Sequence, residues 1–215
     1  SQDIDAALDN NISFQGAEVD LTGNSLVDEN GNPFTGTAKI SATYFDPSTQ
    51  GFGDAFPGDF VGEDQSGNDV AIESYGFISV EIKNGDKNLQ LAAGSQASIT
   101  LPVPSLLSSQ APNQIPLWYY DEEKGTWVEE GFATKQNGKY VGEVSHFSSW
   151  NCDMVMETSK ITGRVVSATG TPMPGVDVFL DAVDYFEVEW LVTDASGRFT
   201  IFVKSDALVD INAET

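Results

Sequence analysis

His146 is the only histidine among 215 residues, so any Ser-His-Asp or Cys-His chemistry must pass through it. It lies in Ser145-His146-Phe147-Ser148-Ser149-Trp150, a run that predicts a strand. Neighbours on a strand point to opposite faces, so Ser145 cannot pair with His146 as a nucleophile. The chain has no Gly-x-Ser-x-Gly elbow. His146 with Cys152, the sole cysteine, lacks the further ligands of a zinc site. Paired carboxylates offer acid–base chemistry, but among 33 Asp and Glu no spacing singles out a pair. The residues therefore predict no catalytic group and no enzyme.

One acidic stretch admits a cation. Asp54, Asp59, Glu63, Asp64 and Asp69 crowd the Gly-rich segment 51–69, and Ca²⁺ takes about six to eight oxygen ligands. The EF-hand pattern is absent there, so the expectation is divided between calcium and no cofactor at all. Leu117-Trp118-Tyr119-Tyr120 and Thr126-Trp127-Val128 flank a turn and predict a hairpin. Trp118 and Tyr120 share a face. An exposed pair would stack on sugar rings; an inward pair would fill a core. Lys160 and Asn212 suggest a Lys–Asn isopeptide crosslink of the kind some surface β domains carry, although no acid beside them is defined.

These residues sit on strands. Thr37–Phe45, 76–82, 97–103, 115–120, 126–129 and Lys139–Val144 alternate apolar and polar side chains between Gly, Asn, Asp and Pro, the signature of a sandwich. Residues 104–110 allow one helical turn. Gly51 to Asn68 reads as a long structureless loop whose Phe52, Phe56 and Phe60 pin it to the sandwich. A turn of pattern G-x-P-x-x-G occurs twice, at Gly31–Gly36 and at Gly170–Gly175, each before an alternating run. Its repetition predicts two tandem β domains.

The expected organisation is a flexible arm over 1–11, a β-sandwich over 12–153, a linker near 154–159 and a smaller β-sandwich over 160–215. No closing strand is evident over 210–215, so the native protein is expected to continue. Net charge is −23, from 10 Lys and Arg against 33 acids. Such a surface repels phosphate backbones and excludes nucleic-acid binding. No window approaches the roughly 20 apolar residues of a membrane span. One cysteine excludes an intramolecular disulfide.

Ile161-Thr162-Gly163-Arg164-Val165, Gly170-Thr171-Pro172-Met173-Pro174-Gly175-Val176 and Thr193-Asp194-Ala195-Ser196-Gly197-Arg198-Phe199, in that order, resemble a carboxypeptidase regulatory-like domain. That resemblance implies a small immunoglobulin- or transthyretin-like sandwich with an accessory, non-catalytic role. Residues 12–153 resemble the region preceding such modules in Bacteroidetes-type surface proteins. The matching segments include Phe56-Pro57-Gly58-Asp59-Phe60 and Val144-Ser145-His146-Phe147-Ser148-Ser149-Trp150. They have a looser likeness to the cartilage intermediate layer protein family. The resemblance implies an extracytoplasmic protein, at the cell surface or outer membrane or secreted, with a spacer or protein-binding role. The alternatives are a carbohydrate-binding or adhesive module, or accessory domains of a surface hydrolase. Partners would be surface proteins or glycans; oligomeric state and means of anchoring stay open.

Overall fold

The computed structural model describes residues 1–183 and 188–214, and it is almost wholly β, as the alternation predicts. The expected second domain, 160–215, includes the few positions outside the described residues. Contacts divide the chain into Ser1–Met154 and Val155–Thr215. The expected linker is mostly strand, because one strand runs to Val155 and the next starts at Thr158.

Unit 1 contains β1 (Gln2–Asp5), β2 (Asn10–Phe14), β3 (Ala17–Leu21), β4 (Leu26–Val27), β5 (Thr37–Phe45), β6 (Val61–Glu63), β7 (Asp69–Asn84), β8 (Lys87–Leu91) and β9 (Ala97–Pro102), followed by β10 (Gln114–Asp121), β11 (Thr126–Gln136), β12 (Lys139–Val144) and β13 (Ser149–Val155). The strands are ordered β1-β5-β7-β13-β10-β11-β12-β9-β3-β2, with β6 between β7 and β11, and β8 joining β4 to β7. Ile40, Ile78, Val80, Ile82 and Ile115 from the first half of that path share one core with Val19, Ile99, Leu101 and Tyr140 from the second. The sheet therefore folds over on itself. Tyr75 and Tyr140 meet edge to face at 6.2 Å across that core.

The expected flexible arm is part of the sheet. Gln2–Asp5 pairs antiparallel with β5, and Ile4 and Ala6 are buried. Two-residue hairpins at Gln15-Gly16 and Asn137-Gly138 have positive φ at both positions, the twist that suits antiparallel neighbours. On β7 the side-chain phase slips at Gly76, whose φ is 106°. Tyr75 and Ile78 thus face the main core, while Ile72 and Phe77 face a second, aromatic core.

Unit 2 contains β14 (Thr158–Arg164), β15 (Asp177–Ala182), β16 (Val188–Val192), β17 (Arg198–Lys204) and β18 (Val209–Glu214). β14 pairs with β17, and a second sheet runs β16-β15-β18. Leu180, Ile201 and Val203 fill the space between, with Ile161, Leu191 and Val209. The missing closing strand is present: residues 209–214 pair along β15, from Ala182↔Val209 to Asp177↔Glu214.

The repeated turn has a common geometry, and it is wider than its two sequence copies. In Asp28–Asn32, Asp64–Asn68, Ser167–Thr171 and Asp194–Arg198, the first residue's amide donates to the fifth carbonyl at 2.8–2.9 Å. The fourth residue is always glycine, with φ of 77°, 79°, 83° and 70°. The first side chain accepts from the third and fifth amides. In the two G-x-P-x-x-G copies the strand continues through bridges Val27↔Pro33 and Val166↔Pro172.

Those amides hold the three aspartates below the usual carboxylate range, backbone donation from Asn32, Asn68 and Arg198 being the leading cause. A depressed native pKa adds stability that is fully present above the unfolded value, about 3.9, and is lost as pH falls from there through the native value. Protection factors at Asn32, Asn68 and Arg198 should therefore fall below about pH 4. Thr171, held by the non-titrating Ser167, supplies the control in amide exchange. Parallel loss at all four sites would contradict this.

Candidate functional site

The five acids expected to hold calcium do not form one cluster, although register sets Glu63 opposite Asp69 on β6 and β7. Asp54 lies on a four-residue helix, Phe52–Ala55, and is exposed, as are Asp59 and Asp69. Glu63 Oε2 pairs with Lys124 Nζ at 3.1 Å. Asp64 spends Oδ1 on its own turn. Among the described residues, no three His, Cys, Asp or Glu stand close enough to hold a metal.

The loop carrying those acids is structured, contrary to the reading of 51–68 as structureless. It supplies the short helix, β6 and the pinning phenylalanines. Phe56 and Phe60 stack at 4.1 Å, Phe45 and Phe77 at 4.3 Å, and Phe56 lies 5.0 Å from Trp127. Trp127 Nε1 donates to the Pro57 carbonyl at 2.9 Å. Trp118 is fully buried in this cluster, and its Nε1 donates to the Asp153 carbonyl at 3.2 Å. Its ring lies over Gly62 so closely that a Cβ there would stand 2.6 Å from Cζ3. Tyr120 is half-buried, 5.4 Å from Trp127. The Trp118–Tyr120 pair therefore fills a core and offers no platform to a sugar.

His146 lies in a bend between β12 and β13, which corrects the strand expected there. The conclusion about a Ser145–His146 dyad survives for a different reason. Ser145 Oγ donates to Glu130 Oε1 at 2.7 Å. The imidazole packs edge-on to Tyr119 at 4.7 Å and lies 4.9 Å from Trp150. Burial lowers its pKa, opposed by Glu130 and the Phe147 backbone, which favours the neutral ring. A cavity of about 290 Å³ near this bend is lined by Glu81, Asn88, Gln90, Phe147 and Ser148, among others, and His146 does not line it. Cys152 is wholly buried, and burial pushes its thiol well above the ordinary value. Lys160 and Asn212 are both exposed and belong to different sheets, β14–β17 and β16-β15-β18, so no isopeptide pair forms.

A buried polar network went unread in the sequence. On β13, Trp150 and Cys152 face the main core, while Asn151 and Asp153 point to the other side and are equally buried. Ser74 Oγ donates to Asn151 Oδ1 at 2.8 Å, and Asn151 Nδ2 donates to Asp153 Oδ2 at 2.7 Å. Buried Glu73 adjoins Ser74. The apolar–polar alternation of Trp150-Asn151-Cys152-Asp153 is itself the signature of a half-exposed strand. Only the aromatic core on the second face reveals that both sides are covered.

Unit 1 exposes Leu8, Leu106 and Phe132, but the one outward-facing tryptophan among the described residues is in unit 2. Trp118, Trp127 and Trp150 are 0% exposed, whereas Trp190 is 60% exposed. Register places Trp190 opposite Phe179, and Val192, itself 46% exposed, opposite Asp177. The same outer face carries Asp181, Asp210, Asn212 and Glu214. The outer face of β14–β17 has the opposite charge: Lys160, Arg164, Arg198 and Lys204 around Phe202, which is 57% exposed. Alternating runs signalled these strands, but nothing in one strand shows which of its faces a second sheet covers.

No family model matches the chain. Part of it is similar to cartilage intermediate layer protein 1 of Mus musculus, 28% identical over 115 residues, which is 54% of this chain and 10% of that protein. The Homo sapiens protein of the same name is 26% identical over 115 residues, again 54% and 10%. Cartilage intermediate layer protein 2 of Mus musculus is 26% identical over 108 residues, 50% of this chain and 9% of that protein. The matched part thus spans about a tenth of those relatives. No solved structure matches.

Proposed function

We propose that this chain is a non-catalytic, extracytoplasmic module in which unit 1 serves as a rigid spacer and unit 2 as a docking element for another protein. The observation that carries this is the contrast between the tryptophans: all three of unit 1 are sealed in cores, while Trp190 stands out among acids on a sheet face. An exposed aromatic beside aliphatic and charged neighbours is the composition of an interaction hot spot. Similarity to cartilage intermediate layer proteins supports an extracellular setting. The likeness of 160–215 to a carboxypeptidase regulatory-like domain supports an accessory role on a bacterial surface. Glycan binding is the second reading, with Trp190 taking the part the sequence assigned to Trp118.

The test is binding of the purified chain and its Trp190→Ala variant to an array of extracellular proteins and glycans, alongside a panel of peptide and glycoside substrates. A saturable protein partner weakened at least about tenfold by the substitution supports the proposal. A glycan hit with that dependence favours the second reading. Turnover abolished by His146→Ala overturns the non-catalytic assignment.

A further inference from the structure

The Ser74–Asn151–Asp153 network has the parts of an acyl transfer. Ser74 supplies a hydroxyl, Asn151 a carboxamide, and Asp153 a carboxyl whose Oδ2 already holds the amide nitrogen that would leave. Ser74 Oγ is 2.8 Å from Asn151 Oδ1. The carbonyl bond adds about 1.2 Å, so Oγ lies within about 4 Å of the amide carbon. All three residues are buried. Asp153 Oδ1 is buried with no hydrogen-bond partner, an arrangement that costs stability unless the atom has another use.

We propose that Ser74 and Asn151 become joined by an intramolecular ester that staples β7 to β13. Ser74 Oγ attacks Cγ of Asn151, the Oγ–Cγ bond forms, the Cγ–Nδ2 bond breaks, and ammonia departs. The hydroxyl proton reaches the leaving nitrogen by way of the Asp153 carboxyl, whose Oδ2 accepts from that nitrogen's N–H in the resting state and which begins and ends neutral. No oxidant or cofactor is consumed. Burial is the main cause that pushes the Asp153 carboxyl well above the usual range, with Ser74 opposing and Glu73 reinforcing, and this favours the protonated form such a relay needs.

Fixed neighbours react as though at very high concentration, with effective molarities on the order of 10⁵ M or more for well-oriented groups. Exclusion of water protects the ester from hydrolysis, and escape of ammonia makes the step one-way. The staple would join residues 77 positions apart in a chain whose single cysteine offers no disulfide. A crosslink over so long a loop restricts the unfolded chain strongly.

Intact mass of the folded full chain tests this. The expected result is a loss of about 17 Da, with Ser74 and Asn151 peptides recovered linked after digestion. Ser74→Ala and Asp153→Asn should each keep the full sequence mass. The wild-type mass decides even where a variant fails to fold. An undiminished wild-type mass after prolonged incubation overturns the proposal. So does a loss that persists in Ser74→Ala, which would mark a succinimide elsewhere.

Discussion

Trp118→Ala is expected to destabilise unit 1 by about 3–5 kcal/mol, the cost of emptying a large aromatic site. The side chain is fully buried, and its removal strips the ring from over Gly62 and the donor from the Asp153 carbonyl. The cavity cannot close easily, because Phe56, Phe77 and Trp127 are held by one another and by the Pro57 carbonyl. Trp190→Ala, at a site 60% exposed, should change stability by less than about 0.5 kcal/mol. Urea titration of the two variants beside the wild type reads the difference as a shift in midpoint at constant slope. Equal, small shifts would place Trp118 outside the core and revive it as a binding residue.

Gly197→Ala is expected to cost unit 2 about 2–4 kcal/mol, combining left-handed backbone strain with a clash. Its φ is 70°, and an added Cβ would stand 2.7 Å from the Val165 carbonyl oxygen and 2.8 Å from the Met173 amide nitrogen. Neither atom can retreat without loss, because Val165 N donates to the Gly197 carbonyl at 2.8 Å and Met173 N to the Val165 carbonyl at 3.0 Å. Gly170 isolates the strain term. It holds the same turn position at φ 83°, with nothing within 4 Å of where an added Cβ would stand. Gly170→Ala should therefore cost only about 1 kcal/mol. Thermal unfolding of both variants measures the gap, and equal losses would show that the close approach at Gly197 is relieved by movement.

Strand existence was legible because period-2 alternation and Gly-containing turns act locally. Thr37–Phe45 and Lys139–Val144 match the expected bounds. The repeated Gly/Pro turn was legible because its hydrogen bonds close within five residues. What failed depends on partners distant in sequence. Gln2–Asp5 looks like a polar arm until β5 lies beside it. Residues 209–214 alternate as clearly as any strand, Val209, Ile211 and Ala213 against Asp210, Asn212 and Glu214, yet acids at the end of a chain masked the pattern. Trp118 and Trp190 both sit in alternating runs, so sequence could not say which ring is sealed and which is offered. The network at Asn151 and Asp153 was hidden for the same reason: burial on both faces is a property of what packs against a strand.

Hydroxyl-radical footprinting of the native chain, read at each tryptophan by mass spectrometry, tests the central claim most directly. The account predicts rapid labelling of Trp190 and protection of Trp118, Trp127 and Trp150 until the chain unfolds. Labelling of Trp118 at the rate of Trp190 would contradict it, and with it the division between a sealed spacer and an outward-facing docking unit.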